Sequence, residues 1–255
     1  MPDLHNDRQI LFSIRNLVKI FPNGHTGADG IDLDIYEGEC LLIAGSNGSG
    51  KTILMRMLSG LMEPTTGTIK YKNRDISDAG EKPSAGLVFQ DADTQLIGET
   101  VEEDIRLGPE NLRMQKVEIE TSVNLIMEKF NLTGKKDYPP RRLSGGEKRR
   151  LAVAGVLATG CDTLILDEPF ANLDWPGVIQ VLELIRELKG QGKTLIILTH
   201  ELEKVLALTD RLVILDRGKI RDCGDPLEVL DRMDPAWGIR DPRHSYKEIS
   251  DCSWL

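Results

Sequence analysis

The sequence predicts an α/β fold built around a parallel β-sheet. Several short apolar runs occur along the chain, each typical of a strand that is buried on both faces. Helical hydrophobic patterns lie between them, and alternation of strand and helix favours parallel pairing. The runs are Cys40–Ala44, Ala85–Phe89, Thr163–Leu166, Thr194–Leu198 and Leu212–Leu215.

An antiparallel unit is predicted near the start of the chain. Residues 10–20 and 31–36 alternate apolar and polar side chains, which is typical of strands with one solvated face. A further strand is predicted over Gly67–Tyr71, after a turn.

The hydrophobic period changes to that of a helix after Gly50, where an apolar face extends from Ile53 to Leu61. From Asp91 onward the chain becomes charged and helical in pattern, until Pro139 and Pro140. The predicted helices in this stretch are Val101–Leu107 and Val117–Phe130. Three more are predicted at Gly145–Ala158, Pro176–Lys189 and Glu201–Leu208. We therefore expect one domain over residues 10–225, with a helical subdomain inserted at about 91–150, and a short C-terminal tail over 226–255.

Composition excludes several classes of protein. The 32 Lys and Arg residues against 41 Asp and Glu give a formal charge of −9, which argues against a non-specific nucleic-acid binder. No uncharged stretch approaches the roughly 20 apolar residues of a membrane-spanning helix, and the first eight residues lack the apolar region of a signal peptide. The cysteines lack a C-x-x-C pair, so we expect free thiols in a reducing compartment. They are Cys40, Cys161, Cys223 and Cys252.

A glycine-rich loop follows the first buried strand and matches G-x-x-x-x-G-K-[ST]. Backbone N–H groups of such a loop cradle phosphate oxygens, and the following helix adds its positive N-terminal end. Lys51 can reach the β- and γ-phosphates, and the Thr52 hydroxyl can ligate Mg²⁺. The loop predicts nucleotide binding but does not choose between kinase, GTPase, motor and pump. Its residues are Gly45, Ser46, Asn47, Gly48, Ser49, Gly50, Lys51 and Thr52.

Two adjacent carboxylates, Asp167 and Glu168, end the run at Thr163–Leu166. In a fold with such a loop, this strand end lies beside the phosphates. Asp167 suits Mg²⁺ coordination, and Glu168 suits deprotonation of an attacking water. The alternative is a solvated strand end.

A helix start is predicted at Ser144, which forms a capping box with Glu147. Gly145 and Gly146 are expected to be exposed and to leave N–H groups free for an anion. The alternative is a plain helix start with a solvated basic first turn.

Together, Gly45–Thr52, the Leu-Ser-Gly-Gly-Glu run at 143–147 and Leu-Asp-Glu-Pro at 166–169 resemble the ATPases of the ABC family. The resemblance covers residues 10–225. It implies the ABC ATPase fold, with a P-loop parallel-sheet core, an antiparallel β subdomain and an inserted α-helical subdomain. It also implies ATP and Mg²⁺ as cofactors and a head-to-tail pair of subunits, identical or related. In that pair, the phosphate loop of one subunit faces Ser144 and Gly146 of the other across each ATP.

The resemblance assigns further residues. Gln90 resembles the glutamine that touches Mg²⁺ and the attacking water, and His200 resembles the switch histidine that contacts the γ-phosphate. Asp174 ends a D-loop-like segment, and it is also suited to be a helix N-cap. Phe21 lies where the family carries an aromatic that stacks on adenine; the alternative is a core or turn aromatic. The implied catalytic set is Lys51, Gln90, Glu168 and His200. The implied metal ligands are Thr52, Gln90 and Asp167, and the implied nucleotide contacts on the signature side are Ser144, Gly145, Gly146, Glu147 and Asp174.

A finer resemblance is to the ATPase subunits of energy-coupling-factor transporters, which import vitamins and cobalt or nickel ions. Residues 86–96, 100–105 and 108–112 carry it. It implies a peripheral position on the cytoplasmic face of the cell membrane, docked to a transmembrane T component that accompanies a cargo-binding S component. The acids Glu102, Glu103 and Asp104 are expected partners for arginines of the T component, the alternative being an acidic helix start.

Three departures from the family pattern are Glu147 in place of glutamine, Phe170 in place of a small hydroxyl residue and Asn172 in place of a small residue. We expect them to retune dimer contacts without removing ATP binding. The variant run Phe-Ala-Asn-Leu-Asp at 170–174 favours a biotin-type or unassigned importer over a cobalt-type one.

The competing interpretation is a non-transport ABC clamp that acts on nucleic acid, the ribosome or cell-wall machinery. The short interval between Lys51 and Ser144 leaves no room for long coiled-coil arms, and the overall charge is acidic. The basic cluster lacks interleaved aromatics, so we expect a solvated basic face and no nucleic-acid partner. Its members are Arg141, Arg142, Lys148, Arg149 and Arg150.

Overall fold

Two β-sheets organise the chain in a computed structural model that describes residues 8–76 and 83–243. Cys252 and the last residues of the predicted tail lie outside this range. The larger sheet has the strand order β10-β9-β3-β8-β7-β6. Its strands are β3 (Cys40–Ala44), β6 (Ala85–Val88), β7 (Thr163–Asp167), β8 (Thr194–Thr199), β9 (Arg211–Asp216) and β10 (Lys219–Gly224).

All neighbouring strands of this sheet pair in parallel except β10, which pairs antiparallel with β9. Every residue of β3, β7 and β8 is buried. The continuous apolar runs therefore predicted the sheet correctly. The run at Ala85–Phe89 is less buried than expected, because β6 is an edge strand.

The smaller sheet is antiparallel and has the order β2-β1-β4-β5. Its strands are β1 (Ile10–Ile20), β2 (Thr26–Tyr36), β4 (Thr66–Tyr71) and β5 (Arg74–Asp75). Ile14 pairs with Leu33 on one side and with Ile69 on the other. The second strand begins earlier than predicted, because irregularities in its register near Gly30 disrupt the alternation that the sequence displays from residue 31.

The described helices are α1 (Lys51–Leu58), α2 (Val101–Asn111), α3 (Lys116–Lys129), α4 (Gly145–Leu157), α5 (Trp175–Gly190), α6 (Leu202–Val205) and α7 (Pro226–Asp231). The predicted apolar face after Gly50 stops short, since α1 ends at Leu58 and Leu61 is exposed. Val229, Leu230 and Ile239 are buried against the core. The division into a domain and a tail stays a prediction. Within the described residues, no helix combines the length and the apolar character needed to cross a membrane.

The parallel sheet separates two hydrophobic cores, because successive side chains of a strand point to opposite faces. Leu41 and Ile43 of β3 join a core with α1 and the antiparallel sheet. Leu42 and Ala44 join the core formed with α2, α4 and α5. The sheet is therefore rigidly held on both sides, and the loops at the carboxyl ends of β3, β7 and β8 begin from fixed positions.

Candidate nucleotide-binding site

The glycine-rich loop connects β3 to α1. Gly48 and Gly50 have φ values of 82° and 107°, in the left-handed region that favours glycine. A Cβ on Gly45 would collide with the Ser49 hydroxyl and the Leu215 carbonyl. No described side chain caps α1. Its first N–H groups therefore face the loop as an anion site.

Lys51 lies folded over this loop. Its side chain is almost fully buried, and Nζ donates to the Gly45 carbonyl at 2.6 Å and the Ser46 carbonyl at 3.3 Å. Nζ also lies 3.4 Å from Oε1 of Glu168. A phosphate in the loop would find a cation held in place by two carbonyls and a carboxylate.

Asp167 lies at the end of β7, beside the start of α1. The Thr52 hydroxyl donates to its Oδ2 at 3.2 Å, whereas Oδ1 is buried without a hydrogen-bond partner among the described residues. Burial raises the pKa of Asp167, and the neighbouring Glu168 raises it further. A buried carboxylate oxygen without a partner, next to a hydroxyl, fits the oxygen ligands that Mg²⁺ prefers. The described residues contain no group of three or more His, Cys, Asp or Glu able to hold a metal. An ion here would therefore complete its shell with phosphate and water oxygens.

Glu168 follows with an unusual backbone: its φ of 45° is in the left-handed region, which is unfavourable for a side chain of this kind. Oε2 accepts a hydrogen bond from the Thr199 hydroxyl at 2.8 Å, and Oε1 lies 3.0 Å from Nδ1 of His200. The Glu168 side chain is only 8% exposed, whereas the His200 side chain is half exposed. Local strain that is held by neighbouring contacts is typical of functional positions.

Gln90 is exposed and lies just beyond β6. The Arg149 guanidinium, from α4, donates to the carbonyls of Phe89 at 2.5 Å and Gln90 at 2.6 Å. Oε1 of Gln95 also accepts a hydrogen bond from the Phe89 N–H at 3.1 Å. The backbone of this segment is therefore pinned, while the Gln90 side chain remains free to reach into the site.

The basic-face prediction is wrong for Arg149. Its residue is 3% exposed, and burial lowers the pKa of its guanidinium. Arg150 is half-buried and donates to Oε1 of Gln180 at 3.0 Å. These two arginines therefore join α4 to other parts of the fold rather than forming a solvated face.

One cleft brings together most of the predicted nucleotide residues. Its lining consists of His25, Ser46, Asn47, Gly48, Ser49, Gly50, Lys51, Thr52, Ile53, Gln90 and Glu168. Phe21 does not line it; that ring is half-buried and stacks on His25 with centroids 6.0 Å apart. Sequence reasoning missed His25 and Ile53. Their only local signal is proximity in sequence to Phe21 and to the loop, and the adenine-stacking role of Phe21 stays a prediction.

A second pocket forms where α4 and α5 begin. Its lining consists of Ser144, Gly145, Gly146, Asn172, Leu173, Asp174, Pro176, Gly177 and Gln180. None of these residues lines the first cleft. The chain therefore carries the predicted phosphate residues and the predicted signature residues as two separate half-sites.

The predicted capping box at Ser144 is confirmed. Its hydroxyl accepts from the Glu147 N–H at 3.3 Å, and Oε2 of Glu147 accepts from the Ser144 N–H at 3.0 Å. Lys135 lies 2.5 Å from Oε1 of Glu147, and this contact lowers the pKa of Glu147. This contact with Lys135 gives a structural reason for a glutamate, rather than the glutamine of the family pattern, at position 147. Gly146 is buried, contrary to expectation, because α5 lies against it. A Cβ at this position would lie only 2.8 Å from Oε1 of Gln180.

The segment before α5 explains the other two departures. Asn172 has a φ of 59°, a left-handed conformation that asparagine tolerates better than most residues. Phe170 is fully buried, with Lys204 over its ring, so its side chain packs within the chain. Its effect on dimer contacts stays a prediction. Asp174 accepts from the Gly177 N–H at 3.0 Å, which confirms its predicted role as the N-cap.

The three acids of α2 have partners within the chain. Oδ1 of Asp104 is buried and accepts from the N–H groups of Ile97 at 2.8 Å and Gly98 at 2.9 Å. Glu103 closes a capping box with Thr100, and Glu102 pairs with Arg106 at 3.0 Å. The prediction that Asp104 contacts a T component is therefore wrong, since this carboxylate is sealed inside its own loop.

A two-sheet α/β fold with this loop, acidic pair and signature helix defines the ATP-binding proteins of the ABC class. Residues 28–171 match the family model described as ABC transporter, and the chain belongs to this family. It is 39% identical to the energy-coupling factor transporter ATP-binding protein EcfA1 of Clostridium novyi, over 80% of this chain and 75% of that protein. It is 36% identical to EcfA of Methanococcus maripaludis, over 86% and 81% of the two chains.

The fold is also similar to a solved structure of cbiO1 from Clostridium perfringens. The TM-score is 0.80 with 33% identity, over 87% of this chain and 91% of that one. That protein is described as part of the ABC transporter complex cbiONQ. This chain is therefore an ATP-binding subunit of the ABC transporter family, and its similarity extends to the energy-coupling-factor group.

Proposed function

We propose that this chain is the ATP-hydrolysing subunit of an importer of the energy-coupling-factor type, and that it powers uptake of a vitamin or a transition-metal ion. The observation that carries the proposal is the position of Glu168. This carboxylate borders the phosphate cleft, with Lys51 at 3.4 Å and with Thr199 and His200 as further partners. The similarity to EcfA proteins and to cbiO1 of the cbiONQ complex supports the choice of transporter class.

The residues in and beside the cleft have distinct chemical tasks in this proposal. Lys51 and the loop N–H groups bind the β- and γ-phosphates. Thr52, Asp167 and Gln90 supply oxygens for Mg²⁺, which when bound neutralises charge on the phosphate oxygens. Glu168 accepts a proton from the attacking water, since its carboxylate borders the cleft.

His200 is the movable part of the site in this proposal. Its imidazole is half exposed while the carboxylate beneath it is buried. It holds Glu168 in the chain alone and turns to the γ-phosphate when ATP and a partner subunit are in place. Thr199 keeps the carboxylate oriented during that change, because its hydroxyl bonds the other oxygen.

The active unit in this proposal is a head-to-tail pair of ATPase subunits. The signature pocket supplies N–H groups and the Ser144 hydroxyl, but its lining contains neither the lysine nor the paired carboxylates of the other cleft. Each ATP would join the two kinds of half-site. ATP binding would close the pair and hydrolysis would reopen it, because ATP binds the two states unequally.

Coupling to the membrane is assigned to the surface from Gln90 to Leu112. Ile97 and Leu112 are both exposed there. An apolar contact with a transmembrane T component would cover them, beside an S component that binds the cargo. The chain would therefore act on the cytoplasmic face of the cell membrane without spanning it.

The proposal is tested by purifying the tagged chain in mild detergent from membranes of its native host and identifying its companions by mass spectrometry. We expect a T-type membrane protein and a small hydrophobic binding subunit. Leu112→Asp should reduce their recovery, whereas Leu227→Asp, at a similarly exposed leucine of α7, should not. Recovery of a conventional permease would reject the energy-coupling class, and recovery only with ribosomes or DNA would reject transport.

A further inference from the structure

We infer that residues 234–239 support the phosphate loop from outside and that Gly238 is a positioning residue for ATP binding, an inference that rests on the proposed function of that loop. Gly238 lies beside Ser46, so close that a Cβ on the glycine would be 3.3 Å from the Ser46 Cβ and 3.5 Å from its Oγ. Ser46 in turn lines the phosphate cleft. A segment near the end of the described chain therefore lies against the loop that binds phosphates.

The local sequence gives this segment a defined shape. Asp234 begins a short 3-10 turn over Pro235–Trp237, and its Oδ1 accepts a hydrogen bond from the Ala236 N–H at 2.9 Å. The Gly238 N–H closes the turn with a hydrogen bond of 3.1 Å. Gly238 has a φ of 71°, in the left-handed region that favours glycine. Glycine at this position thus both ends the turn and leaves room for Ser46.

The residues on either side of Gly238 anchor the segment. Ile239 is buried and belongs to the core that contains Leu42 and Ala44 of β3, the strand that leads into the phosphate loop. Trp237 is half-buried and packs against the same core. The position of Gly238 beside the loop is therefore set by two neighbours that are packed against the body of the protein.

The two ends of the phosphate loop are held in different ways. The Ser49 carbonyl accepts a hydrogen bond from the Gly218 N–H at 2.8 Å, in the turn between β9 and β10. The Ser46 carbonyl accepts from the Ser49 N–H at 3.1 Å and from Nζ of Lys51 at 3.3 Å, and both donors belong to the loop motif itself. Packing against Gly238 therefore helps to position the Ser46 end. A shift of Ser46 would move a carbonyl that holds the phosphate-binding lysine.

The test measures the Kd of the full chain for ATP with Mg²⁺, by competition with a fluorescent nucleotide. Gly238→Ala should raise this Kd about three- to tenfold, because the added methyl group displaces Ser46 and a misplacement of about 1 Å can cost about a hundredfold. Gly192→Ala is the matched control, since Gly192 has a φ of 76° and no described atom lies within 4 Å of the Cβ it would carry. Both substitutions force alanine into a left-handed conformation, so both should lower the melting temperature by similar amounts. Only Gly238→Ala should weaken ATP binding.

A double-mutant cycle establishes whether the effect passes through Ser46. In Ser46→Gly, the side chain that the new methyl group meets is absent, so adding Gly238→Ala to this variant should change the Kd by less than about twofold. If the alanine variants do not fold, Gly238→Asn and Gly192→Asn make the same comparison, because asparagine tolerates the left-handed conformation better.

Two results would overturn the inference and leave the proposed function standing. One is an equal Kd for folded Gly238→Ala and Gly192→Ala. The other is a full effect of Gly238→Ala in the Ser46→Gly background, since the substitution would then act through another contact. Failure of the wild-type chain to bind ATP would instead count against the proposed function.

Discussion

Replacement of Arg149 by methionine should slow ATP hydrolysis much more than it weakens ATP binding. The Arg149 guanidinium joins α4 to the segment that carries Gln90, by hydrogen bonds of 2.5 Å and 2.6 Å to two carbonyls. Methionine fills similar space but donates nothing. The phosphate loop does not contact Arg149 through any of the described hydrogen bonds, so binding of the phosphates should persist.

The magnitude follows from the two lost hydrogen bonds. Leaving a buried acceptor unpaired costs about 1–3 kcal/mol, so two carbonyls cost roughly 2–6 kcal/mol at most. Methionine also removes a buried charge, and this offsets part of the cost of the two unpaired carbonyls, because desolvation of an ion costs several kcal/mol. Movement of the segment toward water reduces that cost further. We expect a net loss of about 1.5–3 kcal/mol in the positioning of Gln90, which corresponds to a fall in kcat of about ten- to hundredfold.

The assay is steady-state ATP hydrolysis by the assembled subunits, with ATP affinity measured separately by a fluorescent nucleotide. Arg142→Met is the control, because Arg142 is an exposed arginine of the same basic cluster. Thermal unfolding establishes that both variants are folded. Equal kcat values for folded Arg149→Met and Arg142→Met would refute the claim that this guanidinium positions Gln90.

Three further predictions concern stability and binding. Asp104→Asn should keep the free energy of unfolding in urea close to that of the wild type, because one amide oxygen can accept both N–H groups. Asp104→Ala should lower the free energy of unfolding by about 1–3 kcal/mol. An equal loss in both variants would contradict this prediction. The contact with Lys135 lowers the pKa of Glu147 in the folded chain. The contribution of Glu147 to folding stability should therefore be complete above its unfolded pKa near 4.5, and it should be lost as the pH falls through the folded pKa. The melting temperature measured between pH 3 and 7 should therefore fall more steeply toward acid pH in the wild type than in Glu147→Gln. Parallel plots of melting temperature against pH for the two proteins would refute this prediction. Lys51→Ala should weaken ATP binding by about ten- to hundredfold in an equilibrium titration, since a charge-assisted hydrogen bond contributes about 1.5–3 kcal/mol; unchanged affinity would remove Lys51 from the phosphate site.

The sheets were predictable because their signals are local. Residues in the centre of a parallel sheet are mostly apolar, as in β3 and β8, and period-2 alternation marked the antiparallel unit. β10 was not predicted. Lys219 and Arg221 are exposed along it and its apolar content is low, so its pairing with β9 comes from tertiary context.

The site was predictable only where a motif combines chemistry with position. The loop, Asp167 and Glu168 are adjacent to strand ends, and the capping box at Ser144 is complete within four residues. Arg149 was misread because its partner Gln90 lies 59 residues away, and a run of basic residues resembles a solvated face. The burial of Gly146 likewise depends on Gln180, which belongs to another helix.

The central claim is that each ATP site is built from two subunits. It is tested most directly by mixing Lys51→Ala chains with Ser144→Arg chains and measuring ATP hydrolysis. Each variant alone should be inactive, because every site lacks one half. In mixed pairs one site regains both Lys51 and Ser144, so activity should return to about a quarter of the wild-type value under random pairing. Folded variants that remain inactive after mixing would contradict the account.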